Sequence, residues 1–167
     1  MISKVKIAAI HHRSFGGAFK RPILCDVSKV HTGCGMMTKV THCNDDKNWR
    51  QKWSRKKVFA TKSLTQKGGF ASVDKVIERI ENKYWVFEVC EFQSWMLGFY
   101  IFVGQWKTTT LEPNKIEVEY AYELHSSMLV QYLINWLFPK LFWNIYIKRV
   151  LENIREMVDN NEPYLYE

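Results

Sequence analysis

Proline and glycine are scarce in this chain, four and eight among 167 residues. So little of either excludes collagen-like repeats and the Pro- or Gly-rich composition of low-complexity linkers. Cysteine is sparse as well: Cys25, Cys34, Cys43 and Cys90 show no dense spacing. That excludes a disulfide scaffold and fits reduced thiols acting as small buried hydrophobes. The opening residues, MISKVKIAAI, carry Lys4 and Lys6 and lack the apolar centre and cleavage site of a secretory leader. Both observations make the cytoplasm the expected compartment. Acid is nearly missing from the first part of the chain. Residues 1–67 hold 15 Lys and Arg against three Asp, a balance of +12, while residues 68–167 hold nine against 14 acids, a balance of −5.

What is abundant is aromatic. Seven Trp, eight Tyr and ten Phe, within an apolar fraction of 47%, rule out disorder and supply large side chains for one core. A chain of this length buries enough surface for a single domain, and 1–167 is read as one. The densest basic segment, Trp49–Lys57 (WRQKWSRKK), interleaves two tryptophans with its cations. Such a segment is a candidate for an acidic partner, nucleic acid included. No recognition motif accompanies it, so the favoured reading is a solvated loop and strand start whose Lys and Arg stems cover the tryptophan faces.

Turn signals fall at 33–35, 44–48, 66–69, 81–83 and 113–114, and between them apolar residues alternate. Residues 37–43, 57–64, 73–81, 84–93, 99–112 and 115–124 read as strands joined by short connections, an antiparallel meander. Residues 1–10 can add an edge strand, and one or two short helices fit between 17 and 30. Faces follow from the two-residue period. Ile116, Val118, Tyr120, Tyr122 and Leu124 share one face of 115–124, with Lys115, Glu117, Glu119 and Glu123 on the other. Trp85, Phe87 and Val89 point inward from 84–93, as do Phe102 and Trp106 from 99–112.

After residue 125 the pattern turns helical. Pro139 divides the stretch, since it lacks an N–H and disfavours helical geometry just before itself. A short segment over 128–137 is expected, then a main helix from Pro139 to Asp159, roughly 30 Å long at 1.5 Å per residue. In it Trp143, Ile147, Val150, Leu151, Ile154 and Val158 recur at i, i+4, i+7 and i+8, one stripe for the sheet. Leu141, Phe142, Ile145 and Tyr146 make its first turns apolar nearly all round and call for further cover. Leu129–Ile147 has the length of a membrane span. Pro139-Lys140 at its centre argues against one, because a lysine there costs roughly 2.5–3.5 kcal/mol, and Gln131, Asn135 and Asn144 add to it. Transient attachment to a membrane surface stays compatible with the pattern.

The run GGFASVDKVIERIENKYWVFEVCEFQSWMLGFYIFVGQ at 68–105, the strands to Leu124 and the aromatic helix with KRVLENI at 148–154 together resemble the SRPBCC superfamily. These START-like, helix-grip proteins include polyketide cyclase/dehydrase-like and lipid-transfer members. The resemblance covers roughly 24–160 and implies an α+β fold. A curved antiparallel sheet of about six or seven strands would grip the C-terminal helix, with an apolar ligand cavity between them. Ile7–Phe19 offers no clear counterpart of the Pro-containing turn with which such proteins open.

The cavity-lining candidates are therefore Trp85, Phe87, Val89, Phe102, Trp106, Val118, Tyr120, Tyr122, Trp143, Ile147, Val150 and Leu151. The Tyr120 and Tyr122 hydroxyls would orient a small hydrophobic or amphipathic ligand. The competing expectation is that these aromatics pack on one another and leave no space. A cyclase- or dehydratase-like enzyme would use the same cavity, with Tyr120, Tyr122, Glu88 or His125 as acid–base groups. None of these forms a recognisable constellation, and no catalytic residue is assigned. No cofactor is indicated. Cys25, His31, Cys34, His42 and Cys43 lie close in sequence, and His31-x-x-Cys34 has a spacing zinc can use. His42 and Cys43, adjacent in a strand, leave opposite faces, so no metal site is expected.

Overall fold

A computed structural model describes residues 2–12, 15–45, 48–93, 98–127 and 136–166. Among these residues seven strands form one antiparallel sheet: β1 (Ile2–His11), β2 (Val40–Asp45), β3 (Arg55–Ala60), β4 (Gly69–Ile80), β5 (Tyr84–Cys90), β6 (Phe99–Glu112) and β7 (Lys115–Ser126). Their spatial order is β1-β7-β6-β5-β4-β3-β2, so every neighbour from β2 to β7 is also a neighbour in sequence. Only β1 crosses to meet the last strand, with Ile7 opposite Tyr120. The β6–β7 turn shows why the hairpins form where they do. Glu112 pairs with Lys115 across Pro113-Asn114, and Asn114 takes the positive φ of 65° that such a turn requires. Register shifts interrupt four of the six strand pairings. Each extra residue bends its strand, and together they curve the sheet.

Two short helices, α1 (Phe15–Leu24) and α2 (Val27–Val30), follow β1. Asp26 starts the second: its Oδ1 accepts from the Ser28 N–H at 2.9 Å, the usual N-terminal cap. The C-terminal helix passes through a π-helical turn over Pro139–Trp143 and continues as α3 (Asn144–Asp159). Of the expected segment over 128–137, residues 128–135 lie outside the described residues. Residues 136–138 are already helical, so the chain does not break at Pro139. Phe138 sits at φ −54°, ψ −49° despite preceding proline. The missing proline N–H is absorbed by widening the turn rather than by ending the helix.

The sheet wraps α3, and the stripe that faces it is nearly the one the sequence marks. Trp143, Ile147, Val150, Leu151 and Ile154 are buried, but Met157 completes the row in place of Val158, which is half-buried. At 3.6 residues per turn the buried direction drifts, and by the last turn Met157 lies closer to it. Against this stripe stand the inward residues of β7, Ile116, Val118, Tyr120, Tyr122 and Leu124, all buried. Beyond the helix, residues 162–166 fold back over α1. The N–H of Leu165 donates to the Leu24 carbonyl at 2.8 Å, and buried Arg21 donates to the carbonyls of Glu162 and Pro163.

Candidate functional site

The inward side chains of β5 to β7 pack as a solid aromatic block. Trp85 stacks on Phe87 at 4.6 Å between centroids, Trp106 meets Tyr120 at 5.1 Å and Tyr122 meets Trp143 at 5.1 Å. Phe87 fits because its cross-strand partner is Gly104. A Cβ there would lie 2.1 Å from the Phe87 ring, so glycine is what lets the ring lie flat on the sheet. The Tyr120 and Tyr122 hydroxyls hydrogen-bond each other at 2.5 Å inside this block. Burial drives both phenol pKa values up, so both stay protonated.

The open space lies elsewhere. A cavity of about 130 Å³ sits under β2, β3 and β4, bordered by α2, the loop at 36–38 and the start of the C-terminal helix. Its wall is built from short side chains, Val40, Val58, Ala60, Ala71 and Ser72, with Val89, Phe92, Phe99, Phe102 and Trp143 at the aromatic side. Of the twelve residues the sequence nominates, Val89, Phe102 and Trp143 line it. Trp85, Phe87, Trp106, Val118, Tyr120, Tyr122, Ile147, Val150 and Leu151 do not, because they fill the neighbouring volume themselves and belong to the core. Sequence reasoning missed the small inward residues at 58, 60 and 72. Their signal is low side-chain volume on an inward-facing strand position.

Four of the lining residues carry polar side chains that bear on function: His31, Tyr146, Asp74 and Gln66. His31 caps α2, and its Nδ1 shares a hydrogen bond of 2.5 Å with the Tyr146 hydroxyl across the cavity. Asn153 fixes this corner, donating to the Val30 carbonyl at 2.7 Å and to the Thr32 hydroxyl at 3.2 Å. Desolvation, aided by the Lys56 charge, lowers the His31 pKa from 6.5 to about 4, so the imidazole is neutral at pH 7. Burial drives the Tyr146 phenol up. Asp74 and Gln66 also line the space; Gln66 accepts from the Thr38 hydroxyl at 2.9 Å, and Asp74 lies across from Lys56 in the β3–β4 register. The loop carrying Met36 and Met37 turns at Gly33 (φ 79°), where a Cβ would press to 2.9 Å from the Lys39 nitrogen.

The remaining candidates are dispersed. Glu88 pairs with Lys75 and Val103 on the outer face, and His125 lies 3.7 Å from Glu123. His42 stacks on Phe59 at 4.5 Å and Cys25 is buried; among the described residues no three His, Cys, Asp or Glu side chains converge on one point. In the basic segment Lys56 covers the Trp49 ring at 4.0 Å, and Lys52 and Lys75 flank Trp53 at 5.1 and 5.0 Å. These cations are engaged with the tryptophan faces. No described helix is long and apolar enough to cross a membrane.

This arrangement of a curved antiparallel sheet around a C-terminal helix is similar to that of several solved structures. SA2116 from Staphylococcus aureus, a protein of unknown function, aligns with a TM-score of 0.71 at 9% identity, 96% of each chain being covered. TTHA0849 from Thermus thermophilus gives 0.68 at 14%, covering 96% of this chain and 100% of its own. Norcoclaurine synthase from Thalictrum flavum, in complex with dopamine and hydroxybenzaldehyde, gives 0.63 at 8%, covering 98% and 90%. The fold is the Bet v1-like helix grip. No protein-family model and no curated protein matches the sequence. At 8–14% identity, what these structures share with this chain is the fold.

Proposed function

We propose that this helix-grip protein binds and carries a small, largely apolar molecule in the cavity under β2–β4 without transforming it. The observation that supports this reading is the pairing of a largely apolar wall with a few polar lining groups, His31, Tyr146, Asp74 and Gln66. Apolar contact supplies roughly 25 cal/mol per Å² buried, and the polar groups orient the ligand. The volume sets its size. A cavity of about 130 Å³ is near the ~150 Å³ that accepts a single benzene-sized ring and below the roughly 300 Å³ of most ligand sites. One aromatic ring bearing a hydrogen-bonding substituent fits that space. The aromatic molecules held by norcoclaurine synthase are of this kind.

A transforming role would need a group able to move a proton near neutral pH. Of the acid–base groups the sequence offers, Tyr120, Tyr122, Glu88 and His125, none lines the cavity; His31, held neutral with its pKa near 4, is a weak base there, and Asp74 is the carboxylate on the cavity wall. Carriage is therefore the reading with more support. It is tested by extracting the purified protein for mass spectrometry and titrating it with a hydrophobic fluorescent probe and with simple phenols. A saturable probe signal displaced by a one-ring phenol is expected. Failure of every probe to bind, with nothing extracted, ends the carrier reading.

A further inference from the structure

The first turns of the C-terminal helix carry a row of large apolar residues on the side turned away from the sheet. Leu137, Leu141 and Ile145 follow one another at i, i+4 and i+8, with Phe142 beside them, and they are 40, 52, 58 and 37% exposed. Single exposed apolar residues mean little, but a contiguous row is a surface made for something. The cations around it narrow the choice. Lys140, Lys148 and Arg149 are all exposed, and no Asp or Glu occurs between 136 and 151. Lys140 Nζ stands 3.7 Å from the centroid of the half-exposed Trp136 ring, at the edge of the row. Lys4 and Lys6 also reach this side, but their charges are paired with Glu123 and Glu119.

We infer that this face docks the protein on an anionic lipid bilayer, the helix lying in the plane of the headgroups. A bilayer surface offers an apolar interior for Leu137, Leu141, Ile145 and Phe142 beneath a layer of negative charge for Lys140, Lys148 and Arg149, which is the pairing an interfacial amphipathic helix needs. A tryptophan at the boundary suits the headgroup level. A second copy of this chain is the poorer occupant. A two-fold contact would set the same cations against each other with no acid on the patch to offset them. Nucleic acid would leave the apolar row wet. The docked face backs onto the cavity: Phe138, buried beneath Phe142, touches Phe99 at 5.6 Å and Trp143 at 6.1 Å, and both of these line the cavity wall.

The test is flotation with vesicles of phosphatidylcholine alone and of phosphatidylcholine with phosphatidylserine, and it reads the surface whether or not the cavity holds a ligand. Binding to the anionic vesicles, weakening as salt is added, is expected. Leu141→Glu with Ile145→Glu should reduce it by about tenfold or more, from the apolar area lost. Lys148→Ala and Arg149→Ala, which leave the row intact, should each weaken it about fivefold. All four positions are exposed, and circular dichroism will verify that the variants fold. Absence of vesicle binding overturns the inference, as does equal, salt-insensitive binding to neutral vesicles. So does a dimer in sedimentation velocity that the two glutamates split while the protein ignores vesicles, which would assign the face to a second copy.

Discussion

The inner face of the sheet is two surfaces. Across β5, β6 and β7 the inward residues include Trp85, Phe87, Trp106, Tyr120 and Tyr122, which interlock at ring-centroid spacings of 4.6–6.3 Å, with Phe102 packed on Trp143 at 5.0 Å. Across β2, β3 and β4 they are Val40, Val58, Ala60, Ser72 and Asp74, too short to reach the helix, and the cavity is what they leave. The same backbone architecture therefore makes a solid core on one side and a container on the other, and side-chain volume alone decides which. Most of the aromatic cavity candidates, Trp85, Phe87, Trp106, Tyr120 and Tyr122, lie on the filled side, while Phe102 and Trp143 border the space. The rings build the wall against which the space is left.

Trp143 stands at the border, packed on Tyr122 and Phe102 and facing the cavity. Trp143→Ala should merge the two regions. We expect a loss of about 3–5 kcal/mol in denaturant unfolding, together with weaker and less selective probe binding. The next largest effect is one of pH. His31 is neutral in the folded protein with its pKa lowered from 6.5 to about 4 by burial, so its contribution is complete above pH 6.5. That contribution falls as protons bind the unfolded chain first, and it is gone near pH 4. Up to about 3 kcal/mol is lost over this window. Unfolding curves taken at steps through the window should show the slope in the wild type and a shallower one in His31→Gln; equal slopes would remove His31 from the account.

Two substitutions that add carbon contrast the halves directly. Gly104→Ala drives a methyl into the Phe87 ring and should cost about 1–3 kcal/mol, partly recovered when Phe87→Leu accompanies it. A double-mutant cycle measures the recovery. Ala60→Leu adds more carbon, but into the cavity. Its stability should stay within about 1 kcal/mol of wild type, while titration with the fluorescent probe shows binding lost. If instead Ala60→Leu unfolds the protein and Gly104→Ala leaves it untouched, the division of the inner face is wrong.

Much of this fold is legible in the sequence because it rests on periodicity. The alternation at 115–124 places the inward residues from Ile116 to Leu124 correctly, though β7 runs on to buried Ser126, and the i, i+4 stripe from Trp143 to Ile154 finds the face of the C-terminal helix. The edge strand at the N-terminus and the short helices between 17 and 30 are present too. Pro139 misleads because its local rule yields to helix packing: a helix already buried at Phe138 and Trp143 accommodates the lost N–H with a wider turn. The site is less legible. A core aromatic and a cavity-lining one follow the same period, and what separates them is the volume opposite, here Ala60 and Ser72 on strands far from Trp143 in sequence. The His31–Tyr146 contact joins a cap residue to a helix face more than a hundred residues on, and no local pattern announces it.

The pairing of the first strand with the last also has a consequence in time. From β2 to β7 each strand can zip onto the one just made, a sequence of local hairpins that forms quickly. The first strand cannot join them, since its partner is the final strand of the sheet. During synthesis its apolar positions, Val5, Ile7 and Ala9, wait beside an unsatisfied backbone until residue 126 has emerged, an interval in which the strand is free to pair with another chain. The two lysines that interrupt it, Lys4 and Lys6, discourage edge-to-edge association during that wait, before they settle against Glu123 and Glu119 in the finished protein.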